Sequence, residues 1–509
     1  MLSDLINSRR IQSFRARTQG IITEHYLLLV LAGAASLSLL LYWLAFVQPY
    51  GLIPWQDYNQ LDLQRISLAH PAARWYLLLA FAAQSLIYLL ARRVVRELKG
   101  PAAWIVVLGG ALAMGLLLLF LFPLGADDIF DNIMHGRIVA VYRANPFVQV
   151  IAQYGRDPLR PYVGWPYAPS AYGPLWEMLA GATAWLTDRL AGADVVANVL
   201  AFKLVGGLFL AGSVGLVASI LRRVNPQRAL EATLLLAWNT VVLYETMGNG
   251  HNDIAVVFFI LATAWALLTR RHILAILALV AGALIKFVPV LLIPAAGLIA
   301  LRDLPDGRAR ARFLVIGAAL ALALIVVAYA PFWQGPQVLS LLRREHLYTT
   351  SLPAAAYAYL ARLWNPERAA GAISKVTYAW TVLFAIGMGF RAFWDRAWDS
   401  FVRSAFYTLM FYLMVTVLWF QNWYSLWPLS LAVVLPPGRA ARLGYVFAFA
   451  TLSKPFVFGP MFLWPVPMPP EWWRELRLGP AVMAVPLAYA VWAAADELRC
   501  RVRRCLGAT

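Results

Sequence analysis

The chain has 509 residues, of which 61% are hydrophobic and only 13% charged, with a formal net charge of +18. A soluble protein of this size charges about a quarter of its residues to cover its surface, so the composition excludes a soluble enzyme and requires contact with lipid over most of the area. The positive excess does not indicate nucleic acid either, because Arg and Lys recur as short clusters between apolar runs, the pattern of loops under the positive-inside bias.

The N-terminal segment carries Arg9, Arg10, Arg15 and Arg17 ahead of an apolar run over 24–47, which is long for a signal h-region and lacks a small-residue cleavage site. It is expected to be a retained cytoplasmic N-terminus. Runs long enough to span the bilayer follow near 74–95, 103–124, 195–221, 229–247, 311–333, 372–390, 400–420 and 479–498, with shorter candidates at 173–191, 254–269, 272–301, 423–436 and 440–458. The basic clusters at 92–99, 222–228, 269–272, 301–312, 391–403 and 436–442 belong on the cytoplasmic side, which puts 125–172 outside. One crossing must then separate 172 from 222, so 173–191, interrupted by Glu177 and preceded by Gly-Pro, is expected to lie along the outer leaflet. By the same parity 272–301 is a hairpin turning at 285–289, its arms so short that the turn sits within the outer leaflet.

The expected fold is therefore an all-α polytopic integral membrane protein with about 14 transmembrane helices. Residues 1–102 form an N-terminal segment with two spans, 103–333 a catalytic module with the large outer loop 125–194, and 334–509 a further outer loop and the C-terminal spans. Cys500 and Cys505 lie together in the basic tail, which excludes a disulfide framework or a thiolate metal site.

This topology collects the unusual polar residues on the outer face. "FPLGADDIFDN" places Asp127, Asp128 and Asp131 just after an uncharged span. One acid suffices to cap a helix, but two adjacent acids at a membrane boundary repel one another and resist burial. Such a pair fits a general base with a second carboxylate, or a divalent cation site for magnesium or manganese. "ETMGNGHND" adds Glu245, His251, Asn252 and Asp253, more than a plain turn requires. Lys286 interrupts an otherwise apolar stretch, where it either snorkels or neutralises a phosphate. Arg343, Arg344 and His346 meet either headgroups or a substrate phosphate. "WFQNWYSLWP" reads as an aromatic belt, in which Gln421, Trp423 and Tyr424 could also pack on a sugar. No P-loop or dinucleotide fingerprint is present, and the cluster faces the side where cells keep little nucleotide sugar, so a lipid-carried activated substrate fits better.

The Asp-Asp pair, "GRIVAVYRANPF" (136–147), "YGPL" (172–175), "GNGHND" (248–253) and "KFVP" (286–289) together resemble the GT-C superfamily of polyprenyl-phosphate-sugar-dependent glycosyltransferases, in particular bacterial polyprenol-phosphate-mannose-dependent mannosyltransferases. The resemblance covers roughly 103–300. It implies a catalytic aspartate at Asp127 or Asp128 and membrane-parallel helices in the first outer loop, one opened by a "Y-P-P-L" motif that here reads Tyr172-Gly173-Pro174-Leu175. The family's "W-D-G" stands here as Met134-His135-Gly136. It further implies inverting sugar transfer to a glycolipid, glycan or protein acceptor at the periplasmic face of a bacterial plasma membrane, with Lys286, Arg343, Arg344 and His346 stabilising the departing phosphate. Tyr172, His251, Asn252, Asp253, Gln421 and Trp423 complete the expected substrate site. A flippase or transporter of lipid-linked sugar is the rival class, but it should show internal repeats and mid-membrane ionisable groups, and only Lys203 and Lys454 fall there. A glycan ligase using a polyprenyl diphosphate would share the architecture and differ in its donor.

Overall fold

The computed structural model describes residues 23–58, 63, 66, 70–343, 347–454 and 470–505, and every regular element among them is helical. The N-terminal part comprises α1 (Thr23–Val47), α2 (Pro71–Val95), α3 (Pro101–Leu119), α4 (Asp128–Ala140), α5 (Pro174–Ala191) and α6 (Val195–Val224). The centre comprises α7 (Ala229–Ala237), α8 (Asp253–Leu268), α9 (His272–Ala283), α10 (Ile293–Asp303) and α11 (Gly307–Tyr329). The remainder comprises α12 (Leu352–Leu363), α13 (Pro366–Trp394), α14 (Ser400–Phe411), α15 (Leu426–Val434), α16 (Arg439–Thr451) and α17 (Glu471–Cys505). Proline at the first turn opens α2, α3, α5, α12 and α13, where its missing N–H costs no hydrogen bond.

Seven of these helices, α1, α2, α3, α6, α11, α13 and α17, are long and apolar enough to cross a membrane, where about 14 crossings were expected. The other apolar runs form shorter or broken helices, and their surroundings explain why. The most apolar stretch of α11 is only 17% buried and that of α1 only 22%, so these helices turn apolar side chains outward. By contrast every residue of α7 and α15 is buried within protein. An apolar sequence thus serves two environments, and only helices in contact with lipid are obliged to run unbroken, because protein neighbours can satisfy a freed backbone.

The expected span 229–247 shows this. Trp238 ends α7 and donates its indole N–H to the Val107 carbonyl at 2.7 Å, and the Asn239 side chain caps the next turn by accepting from the N–H groups of Val241 and Val242. The run 272–301 likewise splits into α9 and α10 around a turn that contains Lys286. In the first outer loop α4 and α5 pack so closely that a β-carbon on Gly136 would lie 2.4 Å from the Ala180 carbonyl oxygen. Arg137 locks that pair: Nε donates to Asp157 at 2.8 Å and Nη1 to Asp188 at 3.0 Å. The Gly-Arg step of the sequence motif is therefore a packing device.

Candidate active site

The site begins at the first turn of α4. The Asp127 backbone carbonyl accepts from the Phe130 N–H at 2.9 Å, but its side chain makes no capping bond. At other helix starts aspartate does cap: Asp194 accepts from Ala197 and Asp306 from Ala309. Capping therefore does not account for the pair. Asp131 is different, being buried and accepting the Trp165 N–H at 3.0 Å. Burial pushes its carboxyl up, and the neighbouring Asp128 adds to this. Asp131 holds the 164–165 loop over the site, while Asp127 and Asp128 stay only half-buried.

The "YGPL" segment supplies the next wall. Gly173 donates its N–H to the Ile285 carbonyl at 2.8 Å, and a β-carbon there would lie 2.2 Å from the Leu284 carbonyl oxygen. This contact clamps the start of α5 onto the turn that carries Lys286. Tyr172 consequently directs its hydroxyl to Asp128 Oδ2 at 3.5 Å and its ring toward Lys286 Nζ at 5.4 Å. Lys286 donates to Asp253 Oδ2 at 2.7 Å and lies 5.0 Å from the Tyr424 ring centre and 6.0 Å from that of Trp427. An acid and three rings thus fix this ammonium group.

Behind them Glu245 is fully buried and serves as a hub. Asn422 donates to it at 2.5 Å and Asn249 at 3.0 Å, and His251 Nδ1 lies 3.0 Å away. The Asn249 side-chain oxygen accepts the N–H groups of Leu124 and Gly125, so the hub also fixes the strand of chain leading to the aspartates. His251 stacks on Trp423 with ring centres 3.9 Å apart. Burial opposes charging of this imidazole, but the Glu245 carboxylate outweighs it and holds His251 above its ordinary range, with Asp128 and Asp253 adding to the pull. His251 Nε2, Asn252 Nδ2 and Asp253 Oδ1 have no hydrogen-bond partner among the described residues, so buried polar atoms converge here without being satisfied by the protein.

The expected residues fall into three groups. Asp127, Asp128, Tyr172, His251, Asn252, Asp253 and Lys286 form one cluster together with Trp423. Gln421 stands beside it, its side-chain oxygen taken by Lys454. Arg343 ends a short helical turn, and its side chain, with all of Arg344 and His346, lies outside the described residues. The chain just after them returns to the site: the Thr349 N–H donates to the Leu418 carbonyl at 3.1 Å and the Phe420 N–H to the Thr349 carbonyl at 3.0 Å. Asn249, Asn422 and Trp427 belong to the cluster and were not picked out from sequence, since asparagine in "GNG" reads as a turn former and Trp427 as interface anchoring.

For a metal, no group of three His, Cys, Asp or Glu side chains able to hold one occurs among the described residues. Asp127 and Asp128 offer two carboxylates, a set that suits magnesium when substrate phosphate and water supply the remaining ligands.

Compared with known proteins, residues 28–302 match the family model described as "Alpha-(1->6)-mannopyranosyltransferase, N-terminal domain". The matched stretch includes the acids, Tyr172, the Glu245 hub and Lys286, and ends before the segment that carries Asn422 to Trp427. No significant match was found among curated proteins or solved structures.

Proposed function

We propose that this chain, which belongs to the alpha-(1->6)-mannopyranosyltransferase family, takes mannose from a polyprenyl-phosphate carrier and adds it, with inversion, to a hydroxyl of a glycolipid, glycan or protein acceptor. The observation that carries the reading is the meeting of two reachable carboxylates, Asp127 and Asp128, with a lysine held by Asp253 and three aromatic rings.

Asp128 is the base in this scheme, because the Tyr172 hydroxyl at 3.5 Å couples it to the Lys286 side of the cluster. As the acceptor oxygen attacks C1 of the mannosyl donor, its proton passes to the Asp128 carboxylate. The new C1–O bond forms while the bond from C1 to the phosphate oxygen breaks, and the electron pair leaves with polyprenyl phosphate. An alpha product formed by inversion requires a beta-linked donor. Positive charge builds on the ring and C1, as in glycoside hydrolysis, and Asp127 lies close enough in the chain to stabilise it. Negative charge grows on the phosphate. Lys286 spends one of three N–H bonds on Asp253 and keeps two for phosphate oxygens. His251, held toward its charged form by Glu245, supports this, and Arg343, Arg344 and His346 are the further basic residues proposed for the phosphate. Tyr172, Asn252, Gln421 and Trp423 bound the sugar. A divalent cation, were one to take part, would be held by Asp127 and Asp128 and would supply further charge neutralisation.

Geometry supports a donor that arrives from lipid. α8 has 16 residues, which at ~1.5 Å per residue gives about 24 Å, less than the ~30 Å of hydrocarbon. With Asp253 at one end of α8 and the arginines 270 and 271 just past the other, the cluster is taken to sit below the outer surface of a bacterial plasma membrane. Phe287, next to Lys286, is 55% exposed and faces the lipid side in this arrangement. Pairs of short helices such as α9 and α10 would then complete the count of about 14 crossings.

The test is purified protein in detergent with radiolabelled polyprenyl-phosphate mannose. Release of polyprenyl phosphate should require an acceptor, and Asp128→Asn should lower it by at least about a hundredfold, with Asp127→Asn following. If neither variant loses turnover, or if the protein reconstituted in sealed liposomes moves the labelled lipid between leaflets without releasing polyprenyl phosphate, the reading is wrong.

A further inference from the structure

At the far end of α8 from Asp253 a pocket of about 510 Å³ opens, bounded by the ends of α8 and α10, the segment 396–398 that follows α13 and the start of α14. Its mouth carries Arg270, Arg302, Arg396 and Trp398, while Leu267 and Phe401 contribute apolar lining. We propose that this pocket binds a phosphate-bearing anion, in the form either of an anionic phospholipid headgroup or of a free phosphate compound.

Charge is the first argument. Arg302 is already committed: Nε pairs with Asp303 at 2.8 Å and Nη1 donates to the carbonyls of Ala392 and Asp395, tying α10 to the end of α13. The other acids nearby are taken as well, Asp395 by Arg391 and Asp399 by Arg403. Arg270 and Arg396 are both exposed, and neither has an acidic partner within salt-bridge distance among the described residues. Three guanidinium groups therefore face a single carboxylate, Asp303, in the pocket lining. Guanidinium groups match the geometry of phosphate oxygens, and basic pockets between membrane helices are the usual seats of anionic headgroups.

The backbone gives the second. Arg270 follows α8 with φ at 58°, in the left-handed region where a β-carbon is crowded. The Arg271 N–H donates back to the Ala266 carbonyl at 2.8 Å and the Arg270 N–H to Leu267 at 3.0 Å, a closure that normally places glycine at this position. The chain keeps an arginine where glycine would be easier, and that arginine borders the pocket. Arg271 is not its equivalent, for its guanidinium lies 4.9 Å from the Trp265 ring centre. An indole at the rim, 39% exposed at Trp398, above apolar side chains is the arrangement that an amphiphile with a charged head would meet.

The experiment uses the full-length protein in detergent. Retention of phosphatidylglycerol and of phosphatidylcholine with the same acyl chains is measured by native mass spectrometry, and inorganic pyrophosphate is tested as competitor. Phosphatidylglycerol should be retained several-fold more than phosphatidylcholine, and Arg270→Gly with Arg396→Gln should bring its retention down to the phosphatidylcholine level. Arg270→Gly alone relieves the left-handed backbone, so it should raise the melting midpoint without lipid while still lowering retention, which separates lost binding from lost folding. If pyrophosphate binds in an Arg270- and Arg396-dependent way and the lipid does not, the phosphate site stands with a soluble ligand. The proposal is overturned if the double variant retains phosphatidylglycerol and binds pyrophosphate as the parent does, or if phosphatidylcholine is retained equally and pyrophosphate binding does not depend on Arg270 and Arg396.

Discussion

Glu177 shows how one buried side chain reaches the chemistry. It is fully buried in α5, and the Ser170 hydroxyl donates to it at 2.5 Å; Ser170 Oγ in turn accepts the Tyr172 N–H at 3.1 Å. The chain Glu177–Ser170–Tyr172 thus sets the tyrosine that reaches Asp128. Burial pushes the Glu177 carboxyl up to about 8 from an ordinary value of 4.5, so it is protonated at neutral pH in the folded protein. A raised carboxyl contributes stability that is fully present below 4.5 and is lost as pH rises through about 8, since the unfolded chain ionises first. Glu177→Gln, which keeps the shape without the charge, should match the parent's melting midpoint near pH 5 and exceed it at pH 8.5. A midpoint that shows the same pH dependence in both proteins would remove Glu177 from this role. At the same scale, the capping explanation of the aspartates failed on geometry, because nothing in the sequence distinguishes an acid that caps, such as Asp194, from one that does not, such as Asp127.

Among the elements, the junction between α5 and the turn before α10 matters most. The Tyr-Gly-Pro-Leu segment differs from the expected family motif at Gly173, and the structure supplies the reason: Gly173 donates to Ile285 and lies against the Leu284 carbonyl. Proline there could neither donate the N–H nor fit its ring. Gly173→Ala should therefore push the Tyr172 segment off the Lys286 turn, costing about 1–3 kcal/mol of stability as an overpacked contact and lowering turnover by more than the same substitution at Gly155, which has open space. Equal effects at the two glycines would sink the claim. The lipid-facing helices were legible from sequence, since lipid contact demands long unbroken apolar runs. The buried ones were not. The run 229–247 has the composition of a span, but Asn239 caps a new turn within it and Trp238 bonds to the Val107 carbonyl, a contact that exists only after α3 and α7 have packed. The run 400–420 ends similarly, in a wide turn over Tyr412–Thr416 and an extended segment that receives Thr349.

Across the whole molecule the cluster is shared between distant parts of the chain. The family match ends at residue 302, yet Asn422, Trp423, Tyr424 and Trp427 complete the surroundings of Glu245, His251 and Lys286. The aspartates and "GNGHND" could be read as a site because they are short polar islands in apolar sequence, whereas the "QNWYSLW" segment resembled any aromatic belt and disclosed its role only through proximity. The Asn422–Glu245 bond, at 2.5 Å, links the two parts directly, and Glu245 is fully buried, out of reach of bulk solvent. Asn422→Ala should thus cost about 1–3 kcal/mol by leaving a buried carboxylate short of a hydrogen bond, and should loosen the grip of Glu245 on His251. If this contact is what couples the C-terminal segment to the aspartate-bearing one, the cost must depend on the charge at 245. In Glu245→Gln the same Asn422→Ala change should cost markedly less, giving a coupling of about 0.5–3 kcal/mol in a double-mutant cycle of melting and turnover. Strict additivity would mean that the two parts meet at the site without acting through it, and the C-terminal segment would then be a lid on a complete N-terminal centre.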